Sequence, residues 1–240
     1  MDSWEKSRIA NRCQDLLDFR VKVVFDYEGI PATLSEMGKE FISPLLDPRQ
    51  NDFTPANSFW LIAYDGDKPV MAGGVRLDDL RDVGMPVFWS RSLSRAFGEA
   101  PRQSGAPFPT DLLVGRVAYF GDLYSCGGAA LSKRGKEQMR LFTGIGHFLT
   151  WLEFKPDVTY CFLQERDVMR GTHNNYGFFD ACPFLYSFDE DPYPAGSPDW
   201  IATLPNAKTD QLMASLGRFT EVLARNTPAC IPSDPHQSTA

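Results

Sequence analysis

Residues 119 to 124, Tyr-Phe-Gly-Asp-Leu-Tyr, are the stretch that decides the fold. They close a long apolar run from Leu112 to Tyr124, which is typical of a buried strand and ends at paired glycines. Downstream, residues 132 to 154 place apolar side chains at helical spacing and predict an amphipathic helix. The central unit is therefore a strand followed by a helix, with a basic, glycine-containing segment, residues 133 to 136 (Lys-Arg-Gly-Lys), where the chain enters that helix.

Segments on both sides of this unit add helices and strands in turn. In chain order they are predicted as a helix (residues 4 to 27), a hairpin of two strands (58 to 64 and 68 to 77), a strand (158 to 163), a short helix (166 to 176), a further strand and a last helix (208 to 223). The hairpin is indicated by two apolar runs joined by a turn that contains Asp-Gly. This order predicts an α/β fold with mixed strand pairing.

Length, composition and charge narrow the class of protein. The 240 residues are 43% hydrophobic, and we expect one domain over residues 1–225 with a flexible tail over 226–240. The net charge of −7 argues against a nucleic-acid partner. Since no stretch approaches the roughly 20 apolar residues of a membrane helix, and the charged start lacks a signal-peptide pattern, we expect no membrane span and a cytoplasmic location.

Cysteine and histidine usage gives no metal-binding pattern. The five cysteines stand at scattered spacings without a CxxC pair, which favours reduced, buried thiols and predicts no metal. Of the three histidines, His236 lies in the tail, so histidine chemistry would have to use His147 or His173. The acidic run at residues 189 to 191 is interpreted as a solvated loop.

Two segments resemble the GCN5-related N-acetyltransferase (GNAT) superfamily. Residues 119 to 124, with the basic segment at 133 to 136, are similar to its fourth strand and pyrophosphate loop, and residues 173 to 178 (His-Asn-Asn-Tyr-Gly-Phe) resemble its closing helix. The resemblance implies a GNAT-like mixed sheet flanked by helices, whose third and fourth strands in the order predicted above (the run ending at Tyr124 and residues 158 to 163) separate where a thioester binds. It also implies an N-acyltransferase that moves an acyl group from acyl-CoA, acetyl-CoA or an acyl carrier protein to the amine of a small molecule.

A narrower resemblance covers the N-terminal half. Residues 17 to 25, 73 to 77 and 115 to 118 are similar in order to acyl-homoserine-lactone synthases and N-acyl amino acid synthases. Arg76 and Arg116 match arginines of those families. The resemblance implies that these two side chains bind an amine acceptor that also carries a carboxylate.

Acyl transfer to an amine needs a base for the amine proton and an acid for the leaving thiolate. Asp122 is the candidate base, because apolar neighbours would raise its pKa; its alternatives are a loop cap or an ion pair with Arg116. The resemblance puts His173 where the family usually has the tyrosine that protonates the thiolate, and Tyr176 is the second candidate for this acid.

The donor thioester has its own candidate residues. A helix start offers unpaired N–H groups and a positive dipole end to a pyrophosphate, and nearby basic side chains add charge. With the resemblance, the candidates for binding the CoA co-substrate are Leu123, Tyr124, Arg134, Gly135, Lys136 and Asn175. For a carrier-protein donor, the candidate basic patch is Lys133, Arg134, Lys136 and Arg140. The alternative is an ordinary charged helix start, which Glu137 would favour.

Three other interpretations remain open at this stage. Gly144-Ile145-Gly146 could mimic a phosphate motif, but its mid-helix position favours close helix packing. A GNAT-like domain without catalysis would act as a ligand-binding or interaction module, and the insertion at residues 127 to 131 is compatible with it. A hydrolase would instead use Cys126 and a histidine.

Overall fold

A computed structural model describes residues 1–97, 102–103, 112–126, 132–183, 186–187 and 200–226. In chain order the elements are α1 (Ser3–Leu16), β1 (Arg20–Val24), α2 (Ile30–Glu36), β2 (Ser58–Asp65), β3 (Lys68–Asp79), α3 (Met85–Phe97), β4 (Arg102–Gln103), β5 (Arg116–Ser125), α4 (Lys133–Phe154), β6 (Val158–Leu163), α5 (Glu165–Met169), α6 (Thr172–Asn175), β7 (Asp180–Pro183), β8 (Tyr186–Ser187), β9 (Trp200–Pro205) and α7 (Thr209–Asn226). The tail after residue 226, the insertion at 127 to 131 and the acidic run at 189 to 191 lie outside the described residues.

The main sheet has seven strands in the order β1-β2-β3-β5-β6-β9-β7. Among the described strands, β5 and β6 pair in parallel and the other neighbours in this sheet pair antiparallel. Helices α1, α4 and α7 pack on one another, and α4 packs on β3 and β5. The predicted fold class, a mixed sheet flanked by helices, is confirmed.

The first predicted helix is wrong beyond Leu16. Arg20–Val24 forms strand β1 and pairs antiparallel with β2, from Arg20 opposite Tyr64 to Val24 opposite Trp60. The apolar residues of this segment fit helical spacing, but valines at positions 21, 23 and 24 also favour a strand. Pairing with the edge of β2 therefore decides the conformation of β1.

Other boundaries differ in smaller ways. The hairpin of β2 and β3 is confirmed, and Gly66 in its turn has a φ of 59°. The predicted helix over residues 166 to 176 is two short helices, because Gly171, with a φ of 74°, separates α5 from α6. Helix α3, which the sequence pattern did not single out, lies between β3 and β4. Strand β5 begins at Arg116 and not at Leu112.

Helix α4 packs closely against its neighbours because it carries two glycines in its middle. A Cβ on Gly146 would lie 2.3 Å from the Phe120 ring, and one on Gly144 would lie 2.8 Å from Leu216 of α7. These distances confirm the packing interpretation of the Gly144-Ile145-Gly146 motif. Within the described residues, no helix has the length and apolar character required to cross a membrane.

Candidate active site

The two central strands of the sheet separate after three residue pairs. Strand β5 pairs with β6 from Val117 opposite Val158 to Tyr119 opposite Tyr160. Both strands continue beyond this point, β5 to Ser125 and β6 to Leu163. The separation that the GNAT resemblance implies is therefore present.

A bulge in β5 lies beside this separation. Between the pairs Ala72–Tyr124 and Gly74–Gly121, β3 contributes one residue and β5 contributes two. One of these two is Asp122, whose φ of 53° lies in the left-handed region. Asp is among the few non-glycine residues that adopt this region, at a cost of roughly 1–2 kcal/mol. The bulge re-aims the side chains of β5 at this position.

A cavity of about 620 Å³ opens between the separated strands. Its apolar wall comes from β5, β6 and α4 and consists of Tyr119, Leu123, Met139, Cys161, Phe162 and Leu163. Its charged side chains come from the loop after α2, from β5 and from α4 and the α5–α6 region, and they are Lys39, Asp122, Lys136, Arg166, Asp167 and Arg170. The cavity therefore combines an apolar wall with a rim that is positive on balance.

Asp122 is the buried acid of this cavity. Its side chain is 5% exposed, and Oδ1 lies 2.7 Å from Nζ of Lys39, which is 13% exposed. The backbone N–H of Ser43 donates to Oδ2 at 3.0 Å. Burial raises the pKa of Asp122, and the charge of Lys39 opposes that rise. The suggested pairing of Asp122 with Arg116 is wrong, because Arg116 begins β5 six residues earlier, about 20 Å away along a strand.

Tyr176 lines the same cavity from the end of α6. Burial raises the pKa of its phenol to about 12, so the side chain stays protonated at neutral pH. Its carbonyl oxygen lies 2.9 Å from Nε2 of His147, which is fully buried. The structure therefore places Asp122 and Tyr176 in the lining of one cavity, and His147 holds the backbone of Tyr176 in position.

His147 and His173 lie outside the lining of this cavity. His173 is half-buried on α6, and its Nε2 lies 3.0 Å from Nδ2 of Asn174. His147 packs edge-on against Phe120 and Phe178, and burial lowers its pKa to about 4. Neither side chain is among the described residues that line the cavity.

Some of the predicted donor-binding residues line the cavity. Leu123, Lys136 and Asn175 do so, and Nδ2 of Asn175 donates to the carbonyl of Lys136 at 3.2 Å. Tyr124 is not among the lining residues, and its hydroxyl lies near Gly38. Asn175 thus connects α6 to the first turn of α4.

The start of α4 has its own internal partners. Ser132 is the N-cap, and its Oγ accepts from the N–H of Gly135 at 2.9 Å. The guanidinium of Arg134 pairs with Asp18 and, at 3.7 Å, with Glu137. Arg134 and Gly135 therefore serve the local structure, whereas Lys136 faces the cavity. Since Arg134 forms an ion pair with Asp18, the predicted basic patch of Lys133, Arg134, Lys136 and Arg140 does not consist entirely of unpaired cations.

Arg76 and Arg116 are not among the residues that line the cavity. Arg76 is 14% exposed, pairs with Asp78 at 2.8 Å and donates to Oδ1 of Asn51 at 2.8 Å and to a backbone carbonyl. The backbone N–H of Arg116 donates to Asp157 at 2.8 Å. The structure therefore does not bring these arginines together with Asp122 and Tyr176.

Lys39, Ser43, Arg166 and Arg170 are site residues that the sequence analysis missed. Lys39 and Ser43 belong to the irregular segment after α2, and no local spacing links them to Asp122. Arg166 and Arg170 lie in a segment predicted as a helix, and their face was not assigned. Only the folded structure shows that Lys39, Arg166 and Arg170 line the same cavity.

Cys126 does not form a nucleophile–base pair within the described residues. Its thiol lies 3.5 Å from the carbonyl of Met37 and 3.6 Å from that of Pro69, and burial raises its pKa. A raised pKa favours the unreactive thiol over the thiolate. In the part of the chain that the structure describes, no group of three His, Cys, Asp or Glu side chains could hold a metal ion.

Comparison with models of protein families and with curated proteins finds no match. Solved structures similar to this chain include FeeM, an N-acyl amino acid synthase from uncultured soil microbes, with 10% identity, 81% of this chain and 94% of that chain covered and a TM-score of 0.43. BjaI, a CoA-dependent acyl-homoserine lactone synthase, has 13% identity, 83% and 90% coverage and a TM-score of 0.40. An acetyltransferase of the GNAT family from Staphylococcus aureus Mu50 has 11% identity, 78% and 99% coverage and a TM-score of 0.36.

These three structures represent the classes that the sequence resembles. At these identities and TM-scores, however, the function of the chain has to be inferred from the cavity itself.

Proposed function

We propose that this protein is an acyltransferase that moves an acyl group from a thioester, acyl-CoA or acetyl-CoA, to the amine of a small molecule. The observation that carries the proposal is the separation of β5 from β6, which opens a cavity lined by both Asp122 and Tyr176. A buried carboxylate and a protonated phenol in one cavity supply the base and the acid that this reaction needs.

The charge of the cavity rim supports an anionic donor. Lys136 and Arg170 are exposed, and neither forms an ion pair with a carboxylate of the described residues. The chain as a whole carries a net charge of −7, so this positive rim is a local feature. A cleft lined by one sign of charge concentrates ligands of the opposite sign. The pyrophosphate of CoA suits such a rim, and the acidic surface of an acyl carrier protein is the alternative donor.

Asp122 acts as the base in this proposal. The amine of the acceptor gives a proton to the carboxylate as its nitrogen attacks the thioester carbonyl carbon. A raised pKa makes Asp122 a stronger base than an exposed aspartate, and the charge of Lys39 favours the ionised form of the carboxylate. The C–N bond forms as the C–S bond breaks.

Tyr176 acts as the acid. Its phenol donates to the leaving sulfur, which departs as the free thiol. Because its pKa is about 12, the phenol carries its proton throughout the neutral range. We assign the acid role to Tyr176 rather than to His173, since Tyr176 is the one of the two that lines the cavity.

The apolar wall supports an acyl chain next to the reacting carbonyl. Tyr119, Met139, Phe162 and Leu163 line this part of the cavity. The narrower sequence resemblance favours an acceptor that carries a carboxylate, as in N-acyl amino acid or autoinducer synthesis. The alternative function, a GNAT-like module that binds a ligand without catalysis, would retain donor binding and lack turnover.

Thermal unfolding with and without ligands tests donor binding. A bound donor at about 100 times its Kd stabilises the fold by about 2.7 kcal/mol. We expect a rise in Tm with CoA, acetyl-CoA or a long-chain acyl-CoA, and its loss in Lys136→Glu with Arg170→Glu. Absence of any rise with these compounds and with an acylated carrier protein would contradict the proposal.

Release of free thiol in the presence of small amines tests catalysis. Asp122→Asn and Tyr176→Phe are expected to lower the rate by about 100-fold or more while donor binding persists. His173→Gln is the matched control and is expected to keep the rate. Donor binding without thiol release from any amine would favour the non-catalytic module, and loss of activity in His173→Gln alone would reverse the assignment of the acid.

A further inference from the structure

A second cleft lies behind α6, between α4 and α7. It has a volume of about 290 Å³ and is lined by Arg140, Asn174, Asn175, Gly177 and Ser215, among others; we call it the rear cleft. Asn175 lines both this cleft and the main cavity. The two spaces are therefore separated by the short segment that carries Tyr176.

Arg140 is the one charged side chain among the described residues that line the rear cleft. It is half-buried, its Nη2 donates to Oγ of Ser215 at 3.0 Å, and its guanidinium stacks 4.4 Å from the Phe219 ring centroid. A guanidinium has five N–H donors in one plane, and stacking uses its face and not its edge. Most of these donors are therefore left for another partner.

No carboxylate of the described residues forms an ion pair with Arg140. Cys13 is the described ionisable group that acts on the pKa of Arg140, and burial raises the pKa of that thiol to about 12, so it is neutral at pH 7. Burial also lowers the pKa of Arg140, as expected for a cation without a nearby anion. A partly buried, uncompensated charge is costly unless something pairs with it.

The polar groups around Arg140 complete a site for an anion. Ser215 accepts the hydrogen bond from Arg140, so its hydroxyl proton is free to donate elsewhere. The side-chain amide of Asn174 also lines the cleft. The volume is that of about ten water molecules, which suits a small metabolite and not a macromolecule.

We propose that the rear cleft binds a small oxyanion, the carboxylate or phosphate group of a metabolite, with the guanidinium of Arg140 and the hydroxyl of Ser215 as its ligands. The geometry of Arg matches both groups, because two parallel N–H donors pair with two oxygens. A ligand in the rear cleft would contact Asn174 and Gly177, which flank Tyr176 in sequence. It would therefore lie against the segment that carries the proposed acid. The site itself stands independently of the proposed acyltransferase activity.

NMR titration of the intact protein tests the site. Sodium phosphate and sodium acetate are added separately, at constant ionic strength with sodium chloride, while the Nε–Hε signal of Arg140 and the amide signals of Asn174 are followed. We expect a saturable shift of both signals with at least one of the two anions. A response to phosphate alone would identify a phosphate group as the ligand, and a response to acetate alone would identify a carboxylate.

Two variants of the proposed ligands, with one control variant, locate the binding. Arg140→Gln is expected to weaken anion binding about tenfold or more. Arg218→Gln removes an exposed positive charge from α7, the helix that carries Ser215, and is expected to leave anion binding unchanged. Ser215→Ala provides a milder change should Arg140→Gln fail to fold, and it is expected to weaken binding as well. Shifts that do not saturate, or that survive both Arg140→Gln and Ser215→Ala, would overturn the proposal.

A further variant distinguishes anion binding in the rear cleft from donor binding in the main cavity. Lys136→Glu is expected to weaken donor binding and to leave the shifts of Arg140 and Asn174 intact. Loss of the shifts in Lys136→Glu would show that the anion occupies the main cavity, and this outcome would also overturn the rear-cleft site. Failure of the wild-type protein to bind any donor, with the shifts of Arg140 and Asn174 intact, would instead contradict only the proposed acyltransferase.

Discussion

Asp122 combines two costs at one residue, a left-handed backbone and a buried carboxylate. Strained backbone at a residue that faces a cavity supports a functional role for that residue. The second cost is offset by Lys39, at 2.7 Å, and by the N–H of Ser43. Lys39 is therefore a positioning residue that holds the carboxylate in place and opposes the rise in its pKa.

Removing this partner is expected to destabilise the protein in a pH-dependent way. In Lys39→Met the carboxylate of Asp122 stays buried without a cation, and we expect a loss of about 3 kcal/mol in the free energy of unfolding at pH 8. The pKa of Asp122 is already raised and rises further without Lys39, so the neutral carboxyl becomes more populated as the pH falls and the loss is expected to be smaller at pH 5 than at pH 8. Urea unfolding at the two pH values measures the difference.

Lys39→Arg is the control for this prediction, since it preserves the positive charge. An equal loss in Lys39→Met at pH 8 and pH 5 would mean that packing, and not the charge pair, is what Lys39 contributes.

At the scale of elements, helix α4 depends on the absence of a side chain at Gly146. Alanine normally stabilises a helix interior by about 1 kcal/mol relative to glycine. A Cβ on Gly146 would lie 2.3 Å from the fully buried Phe120 ring, so overpacking is expected to outweigh that gain, at about 1–3 kcal/mol. We expect Gly146→Ala to lower the free energy of unfolding.

Gly217 in α7 is the matched comparison. The nearest atom to a Cβ there is Cδ1 of Ile9 at 3.5 Å, an ordinary contact, so Gly217→Ala is expected to be stabilising by up to about 1 kcal/mol. Urea unfolding of the two variants gives the signs. Stabilisation by both substitutions would contradict the close contact of α4 with Phe120.

The elements with strong local signals could be predicted from the sequence. The Asp65-Gly66-Asp67 turn identified the hairpin, and the periodicity after Ser132 identified α4. Strand β1 could not be predicted, because its apolar spacing also fits a helix and only the edge of β2 decides between them.

The site divides along the same line. Asp122, Lys136 and Tyr176 belong to short motifs, so the sequence could suggest them. Lys39 could not be found in this way, because its ion pair with Asp122 depends on how the irregular segment after α2 packs in the folded chain. His173 and Tyr176 were not separable by motif, since which side of α6 faces the cavity depends on the turn at Gly171.

At the scale of the whole molecule, buried His147 links stability to pH. Its pKa is about 4 in the fold and about 6.5 in an unfolded chain, so below pH 6.5 the unfolded state binds a proton that the native state does not. Stability is therefore lost as the pH falls from 6.5 toward 4. Between pH 7.5 and pH 5 this contribution is about 2 kcal/mol.

His147→Gln isolates this contribution, because glutamine can still donate to the carbonyl of Tyr176 and does not titrate. Asp78 and Asp122 have raised pKa values, so their protonation stabilises the native state as the pH falls, which opposes the effect of His147. Wild type and variant are therefore compared at each pH. Urea unfolding is expected to show a loss on acidification that is about 2 kcal/mol smaller in the variant. Parallel losses in the two proteins would mean that His147 is not the group responsible.

The two halves of the sheet, β1-β2-β3-β5 and β6-β9-β7, are joined by three rungs between Val117–Tyr119 and Val158–Tyr160. Each half keeps its own antiparallel hydrogen bonds, so bending within a half would break many bonds at once. Opening or closing the angle between the halves breaks few. The sheet is therefore expected to bend most easily along the line between β5 and β6, which is where the proposed acyl donor would enter.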